Sequence, residues 1–195
     1  MPLLGRSGLV GVFVVFVTAL TVGQSQAPAR PAGIRSFDFT NFTYASKCGQ
    51  DTQNAKVPPR IHVIKGQWKT GATNDDVAFT IRRDFITYGD VTNSGHPQAV
   101  VVSTCGLEGV TWAFSEIYVF DMKGGVPSLL GMLPPPDQDQ WGWGYPNVTI
   151  KEGKIFVKYE DGGSHAQHEN EVTASFAWNG NFFVHAGTTH TPLPQ

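Results

Sequence analysis

The sequence lacks an excess of charge of either sign. It holds 14 lysines and arginines against 16 aspartates and glutamates, and only 15% of its 195 residues are charged. A nucleic-acid partner requires a basic face that neutralises phosphates, and anionic lipid attracts clusters of Lys and Arg. The composition therefore predicts no nucleic-acid partner and no attachment to an anionic membrane surface.

Enzyme signatures are nearly absent. The sequence has no H-E-x-x-H motif and no P-loop. Residues 162–166 (GGSHA) are faintly similar to a nucleophile elbow, but that motif needs a strand-to-helix turn, and no helix is predicted after it. The sequence therefore leans against an enzyme, and no catalytic residue is assigned.

Long hydrophobic runs are also scarce, and the one present lies near the N terminus. Arg6 is the only charge in residues 1–27, and residues 9–22 form an uncharged apolar run that small and polar residues follow. These are the parts of a secretory signal peptide. The run is shorter than the roughly 20 residues of a membrane span, although an uncleaved anchor remains an alternative. We expect a secreted or periplasmic protein that is not inserted in the membrane once the signal is removed.

The rest of the chain divides simply. Residues 1–27 are predicted as the signal peptide, the Pro- and Ala-rich residues 28–35 as a disordered linker, residues 36–190 as a single β-rich domain and residues 191–195 as a tail.

Cysteine is limited to Cys48 and Cys105. Two cysteines in an exported protein usually pair, and neither lies in a sequence that supplies a base or a helix N terminus. We therefore predict a structural disulfide between them.

Short runs of β-branched and aromatic residues dominate the sequence after the N-terminal apolar run. Residues 99–102 form a solid apolar run, typical of a strand covered on both faces, whereas residues 79–88 are interrupted by Arg82-Arg83-Asp84. Turn sequences at 123–125, 151–153 and 179–180 separate further runs, and no segment shows a sustained helical period. We predict an all-β, antiparallel meander of about eight strands in a single compact domain with little helix.

Residues 88–102 read YGDVTNSGHPQAVVV. This stretch resembles one found in uncharacterised bacterial secreted proteins (YGD-L/V-T-x-x-G-x-x-E-A-V-V), which is distantly similar to the calcium loops of FG-GAP (integrin-like) repeats. The resemblance implies a small β-rich domain outside the cytoplasm and no particular activity.

The loop itself offers Asp90, Thr92 and Ser94 as candidate calcium ligands and Gly95 as the turn, but Gln98 stands where the last acid belongs. Calcium prefers several carboxylates. We therefore favour a metal-free turn in which the Asp90 carboxylate accepts hydrogen bonds from backbone amides.

A second candidate metal site lies in the stretch SHAQHENE, which contains His165, His168, Glu169 and Glu171. Imidazoles and carboxylates at this density can bind zinc. A two-residue turn at Asn179-Gly180 would place Glu169 opposite His190 and Glu171 opposite Thr188. The alternative is a solvated loop and a frayed C terminus.

Trp141, Trp143 and Tyr145 alternate with glycines, which would place three rings on one side of an extended strand. Such a row could bind a carbohydrate or a peptide, or it could cover an open end of the core.

The favoured interpretation is a non-enzymatic binding or envelope-associated domain of unknown partner. The alternatives are a metal-dependent enzyme or metal-binding protein that uses residues 165–171 with His190, and a structural accessory domain without a ligand.

The aromatic row gives a first testable prediction. If Trp141 and Trp143 are exposed ligand contacts, Trp141→Ala and Trp143→Ala should each change the free energy of unfolding by less than about 0.5 kcal/mol in denaturant titrations. Losses of about 3–5 kcal/mol in both variants would assign the rings to the core instead.

Overall fold

The computed structural model describes residues 33–51, 56–71, 76–107, 113–135, 143–161 and 169–194. A 3₁₀ turn at Ile34–Ser36 precedes, in chain order, β1 (Thr43–Ala45), α1 (Cys48–Asp51), β2 (Arg60–His62), β3 (Gln67–Lys69), β4 (Val77–Gly89), β5 (Gln98–Leu107), β6 (Phe114–Lys123), β7 (Val126–Leu133), β8 (Trp143–Lys151), β9 (Lys154–Asp161), β10 (Asn170–Trp178) and β11 (Phe183–Pro192).

The all-β prediction is confirmed, with eleven antiparallel strands and one short helix in the described part of the chain. Strands β4–β11 are the eight long ones, and β1, β2 and β3 add three residues each. The strands form a five-stranded sheet in the order β3-β4-β5-β6-β7, a four-stranded sheet in the order β11-β10-β9-β8, and the β1-β2 pair. Neighbours in each sheet follow one another along the chain, as a meander requires.

Two of the predicted turns have the geometry that tight hairpins prefer. Gly124 and Gly125 join β6 to β7 with φ angles of 60° and 83°, and Glu152 and Gly153 join β8 to β9 with φ angles of 52° and 72°. Two successive residues with positive φ form the type I′ turn, whose twist matches that of the strands.

Strand β5 is the centre of the domain because both of its faces are buried. Val100 and Val102 face the four-stranded sheet, where they share a hydrophobic cluster with Ile155, Val157 and Phe176. The alternate residues Ala99, Val101 and Cys105 belong to a second cluster with the N-terminal residues. The predicted coverage of residues 99–102 on both faces is thus confirmed.

The N-terminal segment covers the second face with aromatic rings. Phe39 packs against Phe120 with ring centroids 5.2 Å apart, and Tyr44 packs against Tyr118 at 5.1 Å. The Tyr44 hydroxyl donates a 2.7 Å hydrogen bond to the Phe39 carbonyl, so its burial leaves no unsatisfied donor.

The predicted disulfide is confirmed. Cys48 in α1 is bonded to Cys105 in β5, with Cα atoms 5.7 Å apart, and both residues are buried. The bond attaches the N-terminal cover to the central strand, and bonds of this kind persist in oxidising compartments outside the cytoplasm. No helix among the described residues has the length and apolar character needed to cross a bilayer.

Packed structure extends past both predicted limits of the β-rich domain. Ile34 is 2% exposed and lies in the N-terminal cluster, inside the stretch predicted as a linker. At the other end β11 continues to Pro192, and the Leu193 amide donates to the Glu169 carbonyl at 3.0 Å.

The disulfide generates a stability prediction. The bridge joins residues 57 positions apart, and loop entropy predicts that a Cys48→Ala/Cys105→Ala variant loses about 4 kcal/mol in the free energy of unfolding. Denaturant unfolding measures this loss. Wild-type protein folded under oxidising conditions and alkylated without reductant should show no labelled thiol by intact mass; two labelled cysteines would contradict the bond.

Candidate functional site

The turn between β10 and β11 differs from the prediction. Trp178 pairs with Phe183, so the connection has four residues, 179–182, and the predicted two-residue turn is wrong. The Asn179 side-chain oxygen accepts hydrogen bonds from the amides of Asn181 and Phe182, each at 3.0 Å. An Asn side chain that takes up backbone donors in this way favours a longer turn.

The longer turn and a bulge at Ser175/Phe176 shift the rest of the hairpin. His190 pairs with Val172 and not with Glu169, and Glu171 pairs with Thr191 and not with Thr188, so both predicted pairs are wrong. Directly paired residues share a face of the sheet and successive residues alternate, so His190 and Glu171 lie on opposite faces.

The hairpin therefore does not bring His190 onto the face of the sheet that carries Glu171. The Glu171 carboxylate lies 2.7 Å from the Lys158 ammonium group. Within the described ranges, no group of three or more His, Cys, Asp or Glu side chains is placed to hold a metal ion. His165 and His168 lie outside the described residues.

The Asp90 loop has the hydrogen bonds predicted for a turn. The Asp90 carboxylate accepts the Ser94 amide at 3.0 Å and the Gly95 amide at 2.7 Å, and the Thr92 hydroxyl donates to the Ser94 hydroxyl at 2.9 Å. Partial desolvation acts to raise the pKa of Asp90, but the backbone amides outweigh it and hold that pKa below its usual value. The carboxylate therefore stays ionised, as its hydrogen bonds require.

Gln98 closes this loop from inside. Its side chain is fully buried, its oxygen accepts the Val91 amide at 2.9 Å, and its nitrogen donates to the Ser94 hydroxyl at 3.1 Å and to the Asp121 carboxylate at 3.5 Å. The Gln98 amide therefore joins Ser94 of the loop to Asp121 of β6 by hydrogen bonds. Gln98 thus takes the place of the missing acid by a different interaction.

The aromatic row lies mostly beyond what is described. Trp141 lies outside the described residues, and of Trp143 and Tyr145 the structure describes the backbone alone. The backbone of Trp143 begins β8 and pairs with Glu160, with an irregularity before Asn147. Their role in binding remains a prediction.

Sequence reasoning missed a buried carboxylate. Glu116 is 6% exposed and accepts hydrogen bonds from the Ser46 hydroxyl at 2.7 Å, the Lys47 amide at 2.8 Å and the Tyr118 hydroxyl at 2.7 Å. Burial, and next the Glu116 charge, raise the pKa of Tyr118 well above its usual value, so this phenol keeps its proton. The carboxylate thereby attaches the segment before Cys48 to β6.

The largest irregularity in the sheets is a bulge in β4. Ile81 pairs with Ser103 and Ile86 with Val101, so four residues, 82–85, stand opposite Val102 alone. Gly66 lies against the base of this bulge: its carbonyl accepts the Ile81 amide at 2.8 Å, and a Cβ on Gly66 would lie 2.2 Å from the Ile81 carbonyl oxygen. Only glycine fits there, so the backbone fixes where the bulge begins.

Two clefts adjoin the bulge. The first, of about 370 Å³, lies between the Lys65-Gly66 turn and residues 80–84. The second, of about 330 Å³, lies between the N-terminal segment and β4; we call it the Arg35/Arg83 cleft, and its walls include Phe37, Asp38, Ile86 and Tyr88. Bulges often occur beside functional sites, because they redirect side chains out of the sheet.

The charges in the Arg35/Arg83 cleft come from two separate elements. The Arg35 guanidinium lies 5.2 Å from the centroid of the Tyr88 ring, and Arg83 lies 3.7 Å from the Asp38 carboxylate. Asp38 also accepts hydrogen bonds from Thr40 and Asn41, which lower its pKa. The sequence showed the irregularity in β4, because Arg82-Arg83-Asp84 interrupts residues 79–88. It did not show that Arg83 and Arg35 line the same cleft.

No protein-family model, no curated protein and no solved structure matches this chain. The eleven-stranded fold and the Cys48–Cys105 disulfide define the chain as a disulfide-bonded all-β domain.

The Asp90 loop generates the next prediction. Gln98→Leu leaves the Val91 amide buried without an acceptor, so the free energy of unfolding should fall by about 1–3 kcal/mol in denaturant titrations. The matched control is Gln67→Leu at an exposed position of β3, where a change within about 0.5 kcal/mol is expected.

Wild-type protein and an Asp90→Ala variant separate the metal-free turn from the calcium site. Because Asp90 is the one carboxylate among the candidate ligands and Gln98 stands where a second acid belongs, millimolar calcium and chelator should give wild-type protein the same melting temperature. A calcium-dependent rise of several degrees that Asp90→Ala abolishes would show that the loop is a metal site.

Proposed function

We propose that this chain is an exported, non-enzymatic binding domain and that the Arg35/Arg83 cleft holds its ligand. The observation that carries the proposal is the β4 bulge, which turns Arg83 out of the sheet and toward the N-terminal segment. The side chain of Arg83 is 80% exposed, so it is available to a molecule from solution.

Export is supported by two independent features. Residues 1–27 have the pattern of a signal peptide, and the Cys48–Cys105 bond is typical of oxidising compartments outside the cytoplasm. The second feature does not depend on the first, because it comes from the folded domain.

Ligand binding is supported by the way the cleft is built. One wall is the N-terminal segment, which the disulfide and the Glu116 carboxylate attach to the central sheet, and the other is a strand of that sheet. Sites whose walls are held on rigid elements lose little conformational entropy when a ligand binds.

Amide shift mapping tests the proposal. Isotope-labelled protein, titrated with pools of small carbohydrates, short peptides and organic acids, should show ¹H–¹⁵N shifts that cluster in residues 35–40 and 83–88 for at least one pool.

Two matched variants sharpen the test. Ser36→Trp places an indole at the lining of the cleft and should abolish the shifts, whereas Thr189→Trp on the exposed part of β11 should preserve them. Shifts confined to other parts of the chain, or no response to any pool, would refute the cleft as the binding site.

A further inference from the structure

We propose that the Arg35/Arg83 cleft recognises a monovalent carboxylate joined to a short apolar group. This inference rests on the proposed binding function and names the chemistry of the ligand.

The net charge of the cleft suits a ligand with one negative charge. Its ionisable lining residues include Arg35 and Arg83 against Asp38, which gives 2 − 1, or a net charge of +1. A phosphate monoester carries nearly two negative charges at neutral pH. The net charge of +1 in the cleft would not neutralise it, and the Asp38 carboxylate would repel it. A carboxylate carries one, and its two oxygens match the planar fork of a guanidinium group.

The cleft's own carboxylate is already occupied. Asp38 accepts hydrogen bonds from the Thr40 amide, the Thr40 hydroxyl and the Asn41 side chain, and it lies 3.7 Å from Arg83, beyond hydrogen-bonding distance. The Arg83 guanidinium has five N–H donors, so its ion pair with Asp38 leaves it capacity to bind a second carboxylate.

Tyr88 holds the other arginine in place. Arg35 lies over the Tyr88 ring and donates to the Tyr88 carbonyl at 3.5 Å. Desolvation raises the pKa of Tyr88 although Arg35 and Arg83 act in the opposite direction, so its hydroxyl remains a donor at neutral pH. The residues that line the cleft therefore include two guanidinium groups and a phenol as donors, and a carboxylate whose hydrogen bonds are already made.

The walls between these polar groups are apolar. Phe37, Ile86 and the Tyr88 ring are half-buried lining residues, and they pack against the N-terminal hydrophobic cluster. The volume of about 330 Å³ lies at the lower end of the range of about 300–1,000 Å³ that small-ligand pockets occupy. A small ring or a branched aliphatic group suits these walls and this size.

Matched pairs of probes test the inference by calorimetry and amide shift mapping. 3-Phenylpropionate should bind and 3-phenylpropionamide should not, because only the former carries the charge. A tripeptide with a free C-terminal phenylalanine, compared with its amidated form, tests whether the carboxylate comes from a peptide end. Binding of either acid with failure of its amide supports the proposal, and the acid that binds more tightly identifies the source.

Variants of neighbouring arginines supply the control. Arg83→Gln should weaken binding of the better acid about ten- to hundredfold, since charge-assisted hydrogen bonds contribute on that scale. Arg82→Gln should leave it unchanged, because Arg82 bonds to Asp84 at 2.6 Å and lines only the first cleft. Both arginines lie on the exposed bulge, so neither substitution should lower the melting temperature. If both variants melt at the wild-type temperature, the loss of binding in Arg83→Gln is not caused by unfolding.

Several outcomes would overturn the inference: equal binding of acid and amide, equal loss in the two arginine variants, tighter binding of phenyl phosphate than of 3-phenylpropionate, or no binding of either acid at millimolar concentration. If neutral pools still shift residues 35–40 and 83–88, the binding function survives and only the ligand class is wrong.

Discussion

The structure depends on one strand that must be covered twice. Nine of the ten residues of β5 are buried, so the strand cannot be stable in a single sheet with one solvated face. The chain supplies both covers itself: the C-terminal half folds into the four-stranded sheet on one side, and the N-terminal aromatic segment lies on the other. Because the second cover contains little regular structure, it is the part that needs additional attachment.

That attachment comes from polar and covalent interactions in place of a third large sheet. The disulfide ties α1 to β5, and two residues before it the Ser46 hydroxyl bonds to the buried Glu116 carboxylate of β6. A buried carboxylate is tolerated here because three donors satisfy it. The Ser115 hydroxyl is the one buried side-chain polar atom among the described residues without a hydrogen-bond partner.

Residue types alone predicted the features that depend on a few neighbouring residues or on one pair of side chains. A lone pair of cysteines predicted the bond, four consecutive apolar residues predicted the doubly covered strand, and adjacent turn residues predicted two tight hairpins. The β10–β11 hairpin failed because its register depends on competition between the Asn179 side chain and the backbone, and on a bulge at Ser175 that no residue type announces.

The candidate site was beyond sequence reasoning for a different reason. Arg35 and Tyr88 are 53 positions apart, and they meet only because the N-terminal segment covers β5 beside β4. The interruption at Arg82-Arg83-Asp84 indicated an irregularity but not its direction. The position at which the bulge begins is fixed by Gly66, a residue of a different turn.

The support of the bulge by backbone atoms has an evolutionary consequence. Its base is fixed by the hydrogen bond between Ile81 and Gly66, and neither atom of that bond belongs to a side chain. Residues 82–84 are exposed and belong to neither buried hydrophobic cluster. The side chains of residues 82–84 make only surface contacts, such as the Arg82–Asp84 ion pair and the Arg82 contact with the Phe85 ring, so selection can exchange them, and with them the specificity of the surface, at a small cost in stability. The same property makes residues 82–84 a suitable position for inserting foreign recognition sequences into this scaffold.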